Sequence, residues 1–185
     1  MHKNKALFLD RDGVVNLERG YVYRIDDFHF QPGIFALCRA AQALDYLVII
    51  VTNQAGIARG YYTESQFHDL TTWMTERFAE QLVDIARVYY CPYHPLHGVG
   101  EYKYDSPDRK PRPGMLLRAR DDFDLDLVAS ALVGDKLSDI QAAEAAGVGL
   151  RILLPSEPTA VATVPGTFHT LSTLDDVRRR FFSPR

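Results

Sequence analysis

The chain has 185 residues, a length typical of one compact domain. Hydrophobic residues make up 46% of the sequence and charged residues 24%, which excludes disordered and fibrous proteins. The formal net charge of −3 argues against a protein that binds nucleic acid by neutralising many phosphates. We therefore predict a single domain over residues 1–185, with no nucleic-acid partner.

Cysteine content and apolar runs indicate the compartment. Cys38 and Cys91 are too few for a disulfide framework, which is typical of a reducing environment. The first apolar run, residues 6–9, is too short for a signal peptide, and no later run approaches the length of a membrane span. We predict a cytoplasmic, monomeric protein with no membrane partner.

Short apolar runs alternate with longer segments of helical period, a pattern typical of a parallel sheet covered by helices. The predicted fold class is therefore α/β. The predicted strands span residues 6–9, 47–52, 87–90, 131–134 and 150–154, and a short last strand is expected near 167–171. The predicted helices span residues 34–44, 64–82 after Thr63 as N-cap, 114–123 and 138–146, followed by a terminal helix through Arg180.

Three predicted connections are longer than a minimal crossover needs, namely residues 16–31, 54–62 and 91–112. They follow the carboxyl ends of the first three strands, and open α/β sheets bind ligands outside that edge. Long loops in compact domains are often functional. We therefore predict that one pocket collects residues from all three loops.

Two carboxylates that are two residues apart, Asp10 and Asp12, follow the first strand and precede Gly13. Their spacing directs both toward the same side of the chain as it leaves the sheet. Like charges held together need a cation or a shared proton, and Mg²⁺ is a natural partner for such oxygens. The alternative is a polar turn in which both aspartates make hydrogen bonds around Gly13.

Further polar residues follow the other strands. Thr52 and Asn53 end the second strand and can donate hydrogen bonds to phosphate, and Lys110 is suited to neutralise a phosphoryl group. Asp135 ends the fourth strand, where a metal ligand is needed, and Asp139 lies at the following helix start. The alternatives are strand-closing polar residues, solvated charge and acids that complement a helix dipole. Taken together, the set predicts phosphoryl transfer through an aspartyl-phosphate.

With these motifs the sequence resembles the haloacid dehalogenase-like phosphohydrolases. Their four motifs are matched in order by Asp10-Arg11-Asp12-Gly13, Thr52-Asn53, Lys110, and Gly134-Asp135 with Asp139. The resemblance implies a Rossmann-like three-layer sandwich with a central parallel sheet. It also implies that Asp10 is the nucleophile and Asp12 the general acid and base. Thr52 and Lys110 would hold the phosphoryl group. Mg²⁺ would be bound by Asp10, Asp12 and Asp135, and Asp139 would contact these ligands without binding the metal itself.

A closer resemblance, over residues 6 to about 154, is to the D-glycero-D-manno-heptose-1,7-bisphosphate 7-phosphatases. It is carried by the same motifs together with Gly20-Tyr21-Val22, Thr52-Asn53-Gln54-Ala55-Gly56-Ile57-Ala58-Arg59-Gly60, Arg109-Lys110-Pro111 and Gly134-Asp135-Lys136. The family has no large cap domain and uses loops for specificity. The resemblance implies a magnesium-dependent enzyme that leaves a heptose 1-phosphate for nucleotide activation, a sugar used in bacterial lipopolysaccharide.

The same resemblance implies a set of residues that contact the sugar phosphate. They belong to the first strand's motif, to the three long loops and to the start of the helix after the fourth strand. The expected substrate-binding residues are Arg11, Glu18, Arg19, Gly20, Tyr21, Asn53, Gln54, Ala55, Arg59, Arg109 and Lys136.

One departure from the family concerns a structural zinc after the third strand. In relatives it is bound by Cys-x-His and then by Cys-x-Cys, and here those positions hold Cys91, Tyr93, Ser106 and Asp108. Zinc is therefore expected to be absent. A rearranged site built from Cys91, His94, His97 and an acid is the alternative, because this spacing is compatible with ligation.

Two other functions are compatible with the sequence. Histidinol-phosphate phosphatase is a sister activity on the same scaffold, and Gly20-Tyr21 and Arg59-Gly60 favour the heptose substrate over it. A non-catalytic protein that binds a phosphosugar would not need the intact aspartates and lysine. We therefore expect an enzyme acting on a small sugar phosphate.

Overall fold

The strands of the protein pair into one parallel sheet. The computed structural model describes residues 3–155 and 168–183. The strands are β1 (Lys5–Leu9), β2 (Tyr46–Asn53), β3 (Ile85–Cys91), β4 (Ala131–Gly134), β5 (Leu150–Leu153) and β6 (His169–Thr170). Their order in the sheet is β3-β2-β1-β4-β5-β6, and every pairing is parallel. This order reverses direction between β1 and β4, which is where open α/β sheets bind their ligands.

Helices cover both faces of the sheet. They are α1 (Ile34–Gln42), α2 (Ala55–Ala58), α3 (Glu64–Glu80), α4 (Gly114–Phe123), α5 (Leu137–Ala146) and α6 (Leu174–Phe181). In β1, Leu7 and Leu9 pack in the core that also holds the buried residues of α1, α3 and α6. Ala6 and Phe8 point to the opposite face, where α4 and α5 pack. Because both faces are buried, residues 6–9 of β1 are all apolar rather than alternating.

The predicted class, a Rossmann-like three-layer α/β fold, is confirmed. All predicted strands and helices are present within the described residues, with ends that differ by at most a few positions. The predicted helix 34–44 ends at Gln42 because a turn follows in which Asp45 has a φ of +62°. The predicted helix 64–82 ends at Glu80, and Leu82 takes a φ of +60°. Residue 167 of the expected last strand lies outside the described residues.

The start of α3 was predicted correctly, and the short helix α2 was not predicted. Thr63 accepts a hydrogen bond from the Gln66 N–H, and the Gln66 side chain accepts one from the Thr63 N–H, so α3 begins with the expected cap. Helix α2 was not predicted, because a single turn is too short to show a helical period. Within residues 3–155 and 168–183, no helix has both the length and the apolar character needed to cross a bilayer.

Candidate active site

The loop after β1 brings Asp10 next to the segment that follows β4. β1 and β4 are neighbours, and the Asp10 N–H donates to the Val133 carbonyl at 3.0 Å. The chain then turns at Gly13, which has a φ of +93°. A Cβ atom on Gly13 would lie 2.3 Å from an oxygen of Asp135, so only glycine fits at this position. The two acidic segments are therefore packed directly against each other.

Lys110 reaches this acidic cluster from the loop after β3. Its Nζ atom lies 2.9 Å from Asp10 Oδ1 and 2.6 Å from Asp139 Oδ1. It also donates to the Val51 carbonyl at 2.8 Å. The Lys110 residue is only 4% exposed, so its three N–H groups are satisfied by protein atoms. Three segments that are distant in sequence therefore meet at one buried ammonium group.

Burial and neighbouring charges raise the pKa of the carboxyl groups in this cluster and of the lysine that pairs with them. Burial raises the pKa of Asp10 well above its ordinary value, Lys110 opposes this rise, and Asp139 and Asp135 add to it. Burial raises the pKa of Asp135 as well. Burial alone would lower the pKa of Lys110, but Asp10 and Asp139 outweigh it, so the net pKa is raised. The lysine therefore carries its positive charge at neutral pH.

One group of potential metal ligands occurs in the part of the chain that the structure describes. It contains Asp10, Asp135 and Asp139, whose ligand atoms all lie within 4.8 Å of one another. Such a set of oxygen atoms fits Mg²⁺, which binds through one or two carboxylates and completes its shell with water or phosphate. A divalent cation would also offset the excess negative charge. The expected ligand Asp12 is not in this group, and Asp139 is.

The carboxylate of Asp12 is held by donors on the other side of its loop. Arg11 donates to it from Nε at 3.3 Å and from Nη2 at 2.9 and 3.0 Å. Asn16 Nδ2 and Gln54 Nε2 each donate at 3.1 Å. Its side chain remains 16% exposed, and Asp12 lines the cavity above Asp10. This arrangement gives Asp12 a fixed position in which one edge can still meet a substrate.

Arg11 was expected to bind substrate, but its side chain lies behind the site. The residue is 1% exposed, and Nη2 also donates to the Val22 carbonyl at 2.6 Å. Its guanidinium group lies 5.8 Å from the ring centre of Phe67. The Arg11 guanidinium therefore supports Asp12 and the first loop.

The two polar residues at the end of β2 make different contacts. The side-chain amide of Asn53 donates to the Lys110 carbonyl at 3.0 Å and accepts from the Lys110 N–H at 3.1 Å. It thereby fixes the backbone of the lysine to the sheet edge. Thr52 is 1% exposed and its Oγ1 accepts from Gln54 Nε2 at 2.8 Å, which leaves the Thr52 hydroxyl hydrogen available to another acceptor.

A cavity of about 560 Å³ lies over these groups. Most of the residues expected to contact the substrate line it: Asp10, Asp12, Glu18, Gly20, Tyr21, Asn53, Gln54, Ala55, Arg109, Lys110 and Lys136, together with Asp139. Among the other expected residues, Arg19 is exposed and Arg59 is half-buried, and neither lines the cavity. Tyr62 and Ser138 also line it and were not predicted. Tyr62 was the last residue of an expected loop, and no pattern distinguished it from Tyr61.

Cationic side chains flank the cavity. Lys136 Nζ lies 3.3 Å from Glu18 Oε2, which links the first loop to the start of α5. Arg109 Nη1 donates to the Tyr93 carbonyl at 3.3 Å. Burial lowers the pKa of Arg109, and the nearby positive charge of Arg59 lowers it further. Arg109 from the loop after β3 and Lys136 from the residue before α5 both line the cavity.

The loop after β3 is organised by contacts among tyrosine side chains. The ring of Tyr93 packs against Tyr102 at 6.0 Å and against Tyr104 at 5.5 Å. Tyr102 donates its hydroxyl to Glu64 at 2.8 Å. Asp108 forms an ion pair with Arg118 at 3.1 Å. Within the described residues, Cys91, His94 and His97 do not join a group of metal ligands.

Comparisons with known proteins agree with this geometry. The HAD-hydrolase-like family model matches residues 108–165, which contain Lys110, Asp135 and Asp139. A HAD-like phosphatase from Mesorhizobium loti is 37% identical with a TM-score of 0.85, over 95% of this chain and 84% of that chain. The parallel sheet, the cluster of three carboxylates and these matches define a phosphatase of the HAD-like hydrolase class.

The relatives define the family within that class. A D-glycero-alpha-D-manno-heptose-1,7-bisphosphate 7-phosphatase from Burkholderia mallei is 60% identical over 82% of this chain and 80% of its own length. The D-glycero-beta-D-manno-heptose-1,7-bisphosphate 7-phosphatase of Escherichia coli K12 is 43% identical over 97% and 96%. The chain belongs to this family of heptose bisphosphate phosphatases. A Bordetella bronchiseptica D,D-heptose 1,7-bisphosphate phosphatase, complexed with magnesium and phosphate, is 29% identical with a TM-score of 0.83 over 95% of this chain and 96% of that chain.

Proposed function

We propose that this protein is a Mg²⁺-dependent phosphatase that removes the 7-phosphate of D-glycero-D-manno-heptose 1,7-bisphosphate through an aspartyl-phosphate. The observation that carries the proposal is the buried contact of Lys110 with Asp10 and Asp139 at the base of a cavity open to solvent. The positive charge of a lysine beside a carboxylate nucleophile is suited to stabilise a phosphoryl group that is attacked at that point. The heptose bisphosphate substrate is inferred from the family to which the chain belongs.

Asp10 is the nucleophile in this proposal. Lys110 Nζ and the Arg11 N–H both donate to Asp10 Oδ1, at 2.9 and 2.8 Å, so the carboxylate has one orientation. Attack on phosphorus forms the Asp10–phosphate bond and breaks the bond to the O7 oxygen of the sugar. Lys110 and the Thr52 hydroxyl stabilise the negative charge of the transferring group.

Asp12 transfers protons in both halves of the reaction. It protonates the departing sugar oxygen and then takes a proton from the water that hydrolyses the aspartyl-phosphate. Its partly exposed carboxylate lines the same cavity as Asp10, and Arg11 and Gln54 hold its orientation. Because several donors already occupy this carboxylate, we assign it to proton transfer rather than to binding the metal.

Asp10 and Asp135 are the residues that would hold Mg²⁺, with Asp139 behind them in contact with Lys110. When bound, the cation neutralises the negative charge that accumulates on the carboxylates and the phosphoryl oxygens. We also propose that zinc is absent from the loop after β3, because Tyr93 and Asp108 stand at two of the ligand positions and make their own contacts. Metal analysis that finds one zinc per purified chain would contradict this.

The other end of the bisphosphate is recognised by cations. Arg109 and Lys136 line the cavity, the charge of Arg59 acts on Arg109, and Lys136 pairs with Glu18. Planar guanidinium groups are suited to bind a phosphate with two hydrogen bonds. Glu18 and Gly20 supply polar groups for the sugar hydroxyls. The acidic overall charge favours a small substrate over nucleic acid.

The test is phosphate release by EDTA-treated protein to which Mg²⁺ is restored. Both anomers of the heptose bisphosphate and histidinol phosphate are assayed side by side. We expect strong preference for the heptose and complete loss of turnover in Asp10→Asn. Preference for histidinol phosphate would replace the substrate and keep the mechanism, whereas activity retained by Asp10→Asn would refute the mechanism. Gel filtration and cell fractionation test the expected monomer and the cytoplasmic location.

A further inference from the structure

Gln54 contacts both of the polar side chains that act beside the nucleophile. Its Nε2 atom donates to Asp12 Oδ2 at 3.1 Å and to Thr52 Oγ1 at 2.8 Å. An amide nitrogen carries two hydrogens, so these two bonds use it fully. The residue is 1% exposed, and its own backbone N–H is fixed to the Cys91 carbonyl at 2.8 Å. The side-chain amide of Gln54 therefore has one position and two possible orientations, which exchange its Oε1 and Nε2 atoms.

Tyr62 determines which orientation occurs. Its hydroxyl donates a hydrogen bond to Gln54 Oε1. Burial raises the pKa of Tyr62, so the hydroxyl keeps its hydrogen. With the carbonyl oxygen facing Tyr62, the NH₂ group has to face Asp12 and Thr52. The flipped amide would place its oxygen against the carboxylate of Asp12, which is unfavourable.

The position of Tyr62 is itself fixed by packing. Its ring stacks on Tyr23 with ring centres 5.1 Å apart and an interplanar angle of 7°. A Cβ atom on Gly56 would lie 2.1 Å from the Tyr62 ring, so the glycine makes room for the ring to reach Gln54. Tyr62 is 5% exposed and belongs to a small apolar cluster with Ile57 and Phe67. The loop that contains α2 therefore places the Tyr62 hydroxyl against Gln54 Oε1.

We infer that Tyr62 is a positioning residue that acts through Gln54 on both Asp12 and Thr52. With the amide held in this orientation, the Asp12 carboxylate stays aligned for proton transfer. Thr52 Oγ1 accepts from Gln54, so its own hydrogen is free to be donated to a phosphoryl oxygen. The inference rests on the proposed roles of Asp12 and Thr52.

The test uses leaving groups, since a defect in proton donation harms poor leaving groups most. In Tyr62→Phe we expect kcat/KM for p-nitrophenyl phosphate to fall about fivefold, because Thr52 is disturbed for every phosphate ester. The kcat/KM for phenyl phosphate should fall about tenfold more than that, because its poor leaving group also needs the proton from Asp12. The ratio kcat/KM reports steps up to alcohol release, so aspartyl-phosphate hydrolysis does not mask the effect. Inhibition by inorganic phosphate should weaken about fivefold, because Thr52 loses its orientation.

Three further variants make the result decisive. Gln54→Glu keeps the acceptor for Tyr62 and removes both donated bonds, so it should show the same selective loss. The Tyr62→Phe, Gln54→Glu double variant should be no worse than Gln54→Glu. The matched control is Tyr90→Phe, which removes a tyrosine hydroxyl that donates to Glu64 at 2.5 Å in the same aromatic region. It should leave both substrates and phosphate inhibition unchanged.

Equal losses on phenyl and p-nitrophenyl phosphate in folded Tyr62→Phe would overturn the inference. If that variant does not fold, Gln54→Glu decides alone by the same comparison. Wild-type turnover of aryl phosphates without turnover of the heptose bisphosphate would refute the proposed substrate only. A wild-type protein inactive on every phosphate ester would refute the catalytic roles and this inference together.

Discussion

Lys110 and Asp139 form an ion pair of 2.6 Å in which the side chains are 3% and 2% exposed. The lysine comes from the loop after β3 and the aspartate from the first turn of α5, so the pair joins two segments above the sheet edge. Asp139 Oδ2 also accepts from the Lys136 N–H at 3.0 Å, which caps α5. One carboxylate therefore fixes both the helix start and the ammonium that faces the nucleophile.

Removal of the Lys110 ammonium should lower both the stability and the activity of the protein. In Lys110→Met, the carboxylates of Asp10 and Asp139 lose their counter-charge inside the protein. We expect the free energy of unfolding in EDTA to fall by about 3–5 kcal/mol, as for other broken buried ion pairs. Phosphatase activity should be lost. The matched control is Glu80→Gln, which removes the exposed pair with Arg77 and should cost less than about 1 kcal/mol in the same urea titration.

Gly13 can be tested by adding a single methyl group. In Gly13→Ala, the Cβ atom would meet an oxygen of Asp135 at 2.3 Å at a position with a φ of +93°. We expect displacement of Asp135 to lower kcat about a hundredfold, because misplacement by about 1 Å is enough for such a loss. Gly147 has a φ of +83° with no atom within 4 Å of its Cβ position, so Gly147→Ala should lose about 1–2 kcal/mol of stability and keep its activity. Equal activity in both variants would contradict the contact.

The assignment of Asp135 to the metal predicts a change in magnesium dependence. In Asp135→Asn, the Mg²⁺ concentration for half-maximal activity should rise at least about tenfold, because an amide is a weaker ligand than a carboxylate. Calorimetric titration of Mg²⁺ into the protein provides a measurement independent of turnover. Asp84→Asn, at an exposed position away from the cavity, is the control. An unchanged Mg²⁺ requirement in Asp135→Asn would remove this residue from the site.

Arg109 should separate recognition of the second phosphate from the chemistry at the first. In Arg109→Ala, we expect the KM for the heptose bisphosphate to rise about tenfold or more, which corresponds to the loss of one charged hydrogen-bond partner. The kcat/KM for p-nitrophenyl phosphate should be unchanged, because that substrate has no second phosphate. Arg112→Ala removes a nearby exposed cation paired with Asp105 and is the control. A parallel fall on both substrates would place Arg109 in the chemical step instead.

The two cysteines should be unreactive in the folded protein. Burial raises the pKa of Cys38 to about 12, and burial also raises the pKa of Cys91. At pH 8 both are thiols rather than thiolates, and both are fully buried. Iodoacetamide should therefore label neither cysteine under native conditions and both in urea, as measured by mass spectrometry. Rapid native labelling of Cys91 would show that the loop after β3 opens.

Much of the fold follows from local sequence. The strands could be predicted because a parallel strand buried on both faces is a short run of apolar residues, as in residues 6–9 and 131–134. The positions of Asp10 and Asp135 could be predicted because polar residues directly after such runs lie at one edge of the sheet. Lys110 could be placed near them only because it belongs to the long loop that follows β3. The helix after Thr63 could be predicted from its capping residue. Each of these signals acts over a few neighbouring residues.

The partners of each side chain depended on the tertiary structure. Asp139 rather than Asp12 joins Asp10 and Asp135, because β4 lies beside β1 and Lys110 holds Asp139 from a loop far away in the sequence. The Arg11 guanidinium turns inward to Asp12, and Tyr62 reaches Gln54 through the space that Gly56 leaves. The sequence by itself thus determined the sheet and the chemical groups at its edge. Strand order and side-chain packing decide which of those groups meet. Hydrogen bonds and ion pairs act through space, and the separation of two segments along the chain does not show whether they lie close together in the fold.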